Sequence, residues 1–204
     1  MRTPITYYGG KQRMAAKITG MMPQHKIYCE PFFGGGAVFF HKPKAGLEVI
    51  NDTNNDLINF YQCVQNRFPE LKTLIRQTLH SESMYLHAKD IWNNRVEAAE
   101  VEKAWAIWLI TNGSFAGSMH GGWKWCNGRA GSHTAIMIER KRNEFAELLH
   151  QRLSNVQISC RDALRVIKER DTEDTLFYLD PPYPGSYQGH YIGYTHKEIG
   201  RAHV

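Results

Sequence analysis

No stretch of the 204-residue sequence approaches the ~20 consecutive apolar residues that span a bilayer, and the opening MRTPITYYGGK lacks the apolar run of a secretory signal. A membrane partner is therefore not expected, and the cytoplasm is the expected location. Cysteine is scarce: Cys29, Cys63, Cys126 and Cys160 stand far apart with no C-x-x-C pair. That spacing argues against a zinc knuckle or a redox dithiol and for reduced, mostly buried thiols. The ten histidines are scattered, without HExxH or comparable ligand spacing, so no metal is assigned to them. There is also no internal repeat and no low-complexity tract. What is present suffices for one sizeable core, at 42% hydrophobic residues, in one domain or one domain carrying a subdomain. A net charge of +5 is compatible with a polyanionic partner without requiring one.

The pattern along the chain is α/β. It predicts a short helix over 11–21, a strand over 26–29 that runs into the loop Glu30-Pro31-Phe32-Phe33-Gly34-Gly35-Gly36, and a helix from Ala37. A second strand over 47–50 ends in Asn51-Asp52, and a helix over 56–65 follows with Leu57, Phe60, Tyr61 and Val64 on one face. From Pro69 to Gln151 the character changes to three helical patterns around a segment, Ser114–Thr134, rich in Gly, Ser, His, Trp and Asn. This reads as an inserted subdomain. Alternation resumes with a strand at 156–159, a helix over 162–170, and a strand at 175–179 that delivers Asp180.

Two motifs carry chemistry. Gly34-x-Gly36 sits where a strand hands over to a helix, with Asp52 eighteen residues beyond Gly34, the spacing of a nucleotide-binding βαβ unit. Phe39 replaces the third glycine of a dinucleotide fingerprint, which favours a single nucleoside ligand over hydride transfer. Alternatively the glycines only make a tight turn and Asp52 caps the next helix. Gly9-Gly10-Lys11 fails as a phosphate loop of the ATPase kind, since its first glycine position holds no glycine and Gln12 occupies its hydroxyl position. The second motif, Asp180-Pro181-Pro182-Tyr183, ends an apolar strand in an acid, two residues without amide hydrogens, and an aromatic ring. The Asp180 carboxylate and Pro181 carbonyl can accept hydrogens from an exocyclic amine while Tyr183 stacks on its base. Read alone, the same four residues are also compatible with a plain strand terminus and proline turn.

Together these residues resemble the Dam-like family of DNA adenine-N6 methylases, in the class that orders its motifs as amino-terminal element, glycine loop, target-recognition insert and DPPY. Tyr7-Tyr8-Gly9-Gly10-Lys11 is similar to that family's opening motif, Glu30–Gly36 to its cofactor loop and Asn51-Asp52 to its ribose-binding acid. The resemblance implies a Rossmann-like S-adenosylmethionine-dependent methyltransferase sheet with an inserted, mainly helical target-recognition subdomain. It implies S-adenosyl-L-methionine as cofactor, held by Tyr7, Gly10, Lys11, Phe33, Gly34, Gly36, Asp52 and Asp180. Asp162 is either a further cofactor contact or a helix cap. The catalytic strip would be Asp180, Pro181, Pro182 and Tyr183, acting on an adenine flipped out of duplex DNA. The implied division is 1–68 and 152–197 for the methyltransferase domain and 69–151 for the insert. Within the insert, Ser118, Lys124, Asn127 and Arg129 suit phosphates or base edges. Trp123 and Trp125 either wedge against DNA or pack between hairpin and helices, with packing favoured. Lys141 and Arg142 either follow phosphates or solvate a helix face, and surface residence is favoured over phosphate contact for His120 and His133. Restriction-associated, phage and housekeeping roles all fit, the first with a partner endonuclease.

In the family pattern, further strands and helices follow DPPY, whereas this sequence runs about twenty residues past Tyr183. The run Glu198–Val204, EIGRAHV, reads as the translation of a common sequencing adapter. The expectation is a longer native gene, a non-native tail over 198–204, an uncovered edge at the fourth strand, and poor solubility and little activity for the chain.

Overall fold

The computed structural model describes residues 1–127 and 134–182. Four parallel strands, β1 (Ile27–Glu30), β2 (Leu47–Asn51), β3 (Val156–Ser159) and β4 (Thr175–Phe177), form one sheet in the order β3-β2-β1-β4. β1 is central, with Tyr28 opposite Glu48 on one side and opposite Leu176 on the other. The chain steps from β1 to β2 to β3 in one direction and returns to the far side of β1 with β4. That reversal is a topological switch point, where open α/β sheets bind ligands beyond the carboxyl ends of their strands.

Helices α1 (Ala15–Gly20), α2 (Ala37–His41) and α3 (Asn55–Asn66) belong to the first βαβ region. α1 is shorter than the predicted span because residues 11–14 form turns that leave Lys11 beside the strand ends. α3 starts at Asn54, whose side chain accepts hydrogen bonds from the amides of Asp56 and Leu57, and it buries Leu57, Phe60, Tyr61 and Val64 as its periodicity predicts. Among the described residues the insert contributes α4 (Phe68–Gln77), α5 (Glu82–Trp92), α6 (Glu100–Gly113), α7 (Thr134–Glu144) and α8 (Glu147–Leu153), against the three helical patterns expected. α9 (Ala163–Arg170) then leads to β4.

Period-two alternation divides the sheet into two faces. Tyr28 and Ile50 point into the main core with α2, α3 and α6, while Cys29, Val49 and Phe177 meet Val166 of α9 in a much smaller cluster. α6 is buried almost all round, with every residue from Ala104 to Gly113 inaccessible, so it is the axle of the insert rather than an amphipathic surface helix. On the main face Glu48 is buried between Lys42 and Arg152, and the Arg152 guanidinium also donates to the Phe39 carbonyl at 2.9 Å and lies over the Phe39 ring. Burial pushes the Glu48 carboxyl up, but its hydrogen bonds to Arg152 and Lys42 outweigh that and leave its pKa low. Because Arg152 belongs to α8, a boundary after residue 151 falls inside a helix bonded to the sheet.

Candidate active site

The strand ends are tied together by one side chain. Asn51, fully buried at the end of β2, donates to the carbonyls of Pro31 (3.0 Å) and Arg161 (2.9 Å) and accepts from the Ser159 hydroxyl (2.8 Å) and the Arg161 amide (3.0 Å). The loops after β1, β2 and β3 are therefore held in fixed relation by four hydrogen bonds from a single amide. The glycine loop closes against them: the Phe33 amide donates to the Asn51 carbonyl at 2.9 Å, and the Tyr61 hydroxyl donates to the Gly34 carbonyl at 3.0 Å. Gly36 has φ of 65°, and a Cβ there would lie 2.4 Å from the Phe33 ring, so both conformation and space require glycine.

A cleft of about 660 Å³, part of it open solvent, lies at the carboxyl ends of β1, β2 and β4. This is within the size range of small-ligand sites. Tyr7, Gly10, Lys11, Phe33, Gly34, Gly36, Asp52, Asp180, Pro181 and Pro182 all line it. The sequence places these residues up to 175 positions apart, and the fold gathers them in one concavity. Three acids enter it under different constraints. Asp52 accepts from the Gly34 amide at 2.8 Å and the Asn54 amide at 3.0 Å, one on each oxygen. Burial nevertheless raises its pKa, only partly offset by these amides. Asp180 is gripped through both oxygens by the Lys11 ammonium at 2.8 and 2.6 Å, and Lys11 also donates to the Gly9 carbonyl at 3.2 Å. That ion pair joins the opening motif to the DPPY strip.

The third acid, Glu30, is missing from the residues singled out individually by the sequence, although it begins the cofactor loop. It is 2% exposed, accepts from the Tyr28 hydroxyl at 2.6 Å, and lines the same cleft. Burial pushes its pKa up to about 8, with the nearby Asp180 charge adding to the effect against the Tyr28 and Lys42 contributions. Its period-two position with Tyr28 on β1 was the available signal, since an acid on the core face of a central strand demands a reason. Tyr8, Phe32 and Tyr178 also line the cleft without having been predicted as contacts.

Asp162 does not line this cleft: its carboxylate accepts from the Arg165 amide at 3.0 Å as the cap of α9, the second of its two readings. Tyr183 and Arg129 lie outside the described residues, as do His133 and the 198–204 tail. Among the described residues after α6, Ser114 and Trp123 form an antiparallel bridge and Phe115–Gly117 a 3-10 turn. Within it Ser118 is only 6% exposed, so its hydroxyl is not presented to solvent. Lys124 is half-buried, with its ammonium 3.7 Å from the Met137 sulfur, and Asn127 is exposed. Trp123 packs on the His80 ring and the core, as favoured, whereas Trp125 is 58% exposed. His120 is exposed against the Trp92 ring. Lys141 and Arg142 do not simply solvate a helix face: Lys141 donates to the Thr3 carbonyl at 2.9 Å, and Arg142 donates to the Thr78 carbonyl at 2.9 Å behind the end of α4. Among the described residues no three His, Cys, Asp or Glu side chains are grouped to hold a metal, and no helix is long and apolar enough to cross a membrane.

Asn112 of α6 ties the insert to the residues that precede Tyr7. Its carbonyl oxygen accepts from the Thr6 amide (3.1 Å) and hydroxyl (3.0 Å), and its amide nitrogen donates to the Pro4 carbonyl (3.1 Å). The residues just before Tyr7 are thus anchored on the helix that precedes the recognition segment.

Comparison with known proteins agrees with this constellation. The chain is 32% identical over 205 residues to a type II methyltransferase, M1.LlaDCHI, of Lactococcus lactis subsp. cremoris, covering 95% of this chain and 70% of the relative. It is 29% identical to the DNA N-6-adenine-methyltransferase of Escherichia phage P1 over 89% of this chain but 24% of that longer protein. Against the DNA adenine methylase of Vibrio cholerae it is 25% identical over 89% of this chain and 65% of the relative. Residues 7–203 match the model of the D12 class N6 adenine-specific DNA methyltransferases, and the chain belongs to that family.

Proposed function

We propose that the chain transfers a methyl group from S-adenosyl-L-methionine to the N6 amine of an adenine flipped out of duplex DNA, in the cleft where Lys11 meets Asp180. The observation that carries this is the gathering of the glycine loop, Asp52 and the Asp180–Pro182 strip around one space. The cleft suits a nucleoside cofactor on its own geometry. Gly36 makes room for the Phe33 ring to pack against the loop and line the cleft, and Asp52 retains lone pairs for ribose hydroxyls beyond the two amides that orient it. When bound, S-adenosylmethionine supplies the electrophilic methyl.

The chain's own residues have to make a poor nucleophile attack. An adenine N6 lone pair is delocalised into the ring, and acceptors on its two hydrogens draw it out and aim it. Asp180 offers carboxylate lone pairs and Pro181 a carbonyl. Neither proline has an N–H, so this part of the strip presents backbone acceptors without amide donors. Methylation would release one N6 proton, and the Asp180 carboxylate and Pro181 carbonyl are the acceptors along which it would leave to solvent. Lys11, bonded to both Asp180 oxygens, fixes the carboxylate's direction. A base in a duplex is hidden in the stack, so unstacking by a few kcal/mol is part of the cycle. Tyr183 is the proposed stacking partner. The recognition segment after α6, with Lys124, Asn127 and Arg129, is the proposed reader of DNA, and a partner restriction endonuclease fits a modification role.

The test is transfer of tritiated methyl to adenine-containing duplex DNA, RNA and protein, with Asp180→Ala alongside and the products digested for mass spectrometry. N6-methyladenine that falls by about a thousandfold in the variant is expected. A folded protein that binds S-adenosylmethionine and labels only RNA or protein sinks the DNA assignment.

A further inference from the structure

A second concavity lies on the other side of Tyr7 and Gly35 from the reaction cleft. It encloses about 1190 Å³, part of it open solvent, between the amino-terminal segment and α7. Its cations are Arg2, Arg140 and Lys141. A single acid faces them: Glu144 stands 3.3 Å from Arg2 and 3.7 Å from Arg140. Both arginine side chains are more than half exposed, at 62% and 52%, so these are surface pairs of small net worth that can exchange Glu144 for another anion. Lys141 is different, with its ammonium buried at the floor against the Thr3 carbonyl and its pKa pushed down by burial to about 8. An anion entering here would relieve a charge that the fold holds at a cost. Tyr7, Gly10 and Gly35 line both concavities, and Lys124 of the recognition segment approaches Met137 on the rim at 3.7 Å. The cationic basin therefore lies between the recognition segment and the reaction cleft.

We infer that this basin binds phosphodiester groups of the DNA strand carrying the target adenine, through Arg2 and Arg140 with Lys141 behind them. The inference rests on the DNA reading given above. A base swung into the cleft leaves its sugar-phosphate backbone outside, and guanidinium groups are suited to two-point contacts with phosphate. Such contacts position the strand without reading sequence.

The experiment is fluorescence anisotropy of a labelled, adenine-containing duplex titrated with the full chain and with the Arg2→Ala/Arg140→Ala double variant at several salt concentrations. The variant is expected to bind about tenfold more weakly near physiological salt, with the slope of log affinity against log salt reduced by about 1 to 2. A duplex with neutral methylphosphonate links flanking the adenine should weaken binding by the wild type and leave the variant unchanged. S-adenosylmethionine affinity, read by calorimetry, should be equal in both, which also reports an intact fold; the single Arg140→Ala variant, with about half the slope change, serves if the double variant does not fold. An unchanged slope in a variant that binds cofactor overturns this site alone. A wild type that binds cofactor but no DNA overturns the DNA reading and this site with it.

Discussion

The sheet rim and the inserted helices bury their side chains in opposite ways. At the rim, Glu30, Asn51, Asp52 and Asn54 are all buried and polar, and their partners are mostly backbone amides and carbonyls of neighbouring loops. In the insert, α6 buries Trp105, Ile107, Trp108, Leu109 and Ile110 against α3, α4 and α5. Rim geometry depends on which atoms are donors and acceptors, insert geometry on volume. The first kind of order fixes chemistry at the level of single residues. The second tolerates substitution while the same helices present a changeable loop.

Equal-volume substitutions sharpen this contrast. Asn51→Leu removes four hydrogen bonds and leaves backbone groups unpaired in the loops after β1 and β3, and should cost about 4 kcal/mol in urea unfolding. A loss below about 1 kcal/mol would break the argument for the rim. Asp52→Asn keeps shape but loses one acceptor for the Gly34 or Asn54 amide and the charge facing the cleft, so S-adenosylmethionine affinity by calorimetry should fall roughly a hundredfold. Glu30→Gln probes pH. The folded carboxyl keeps its proton up to about 8 while an ordinary one releases it near 4.5, so wild-type stability is lost as pH rises through that window. Glutamine still accepts from Tyr28 and does not titrate, so between about pH 5 and 8 the variant should gain about 4 kcal/mol relative to wild type in parallel denaturation series. In the insert, Leu109→Met should cost less than about 1.5 kcal/mol by the same assay. A larger loss would show that α6 is as exacting as the rim.

The same division explains what could be read from sequence. The motif residues at the strand ends were legible because glycines, a buried acid and a double proline admit few other uses, and the structure gathers Tyr7, Lys11, Gly34, Gly36, Asp52 and Asp180 around one cleft. Strand positions were legible to within two residues at each end because short β-rich runs stop at Glu30, Asn51 and Asp180. The insert was read less well. α6 is apolar on all sides, so periodicity says nothing about which face meets what, and α4 begins at Phe68 straight after α3, without a loop to mark the break. Ser118 is buried and Arg142 is bonded to the Thr78 carbonyl, tertiary contacts that side-chain chemistry alone does not report. Glu30 was overlooked although its period-two position with Tyr28 marked it, because the hydrogen bond and burial that give it weight are properties of the folded sheet.

The strand order also governs how the protein is made. β1 pairs with β2 about twenty residues later, but its other neighbour, β4, is translated some 148 residues after it, and Lys11 waits 169 residues for Asp180. At ribosomal speeds of roughly 5–20 residues per second, the cofactor half has on the order of ten seconds in which one flank of β1 has no partner strand. Throughout that interval the nascent chain displays an open sheet edge, with the insert emerging in between. Asp180 therefore arrives long after its ion-pair partner Lys11, and chaperone dependence should be concentrated in that interval.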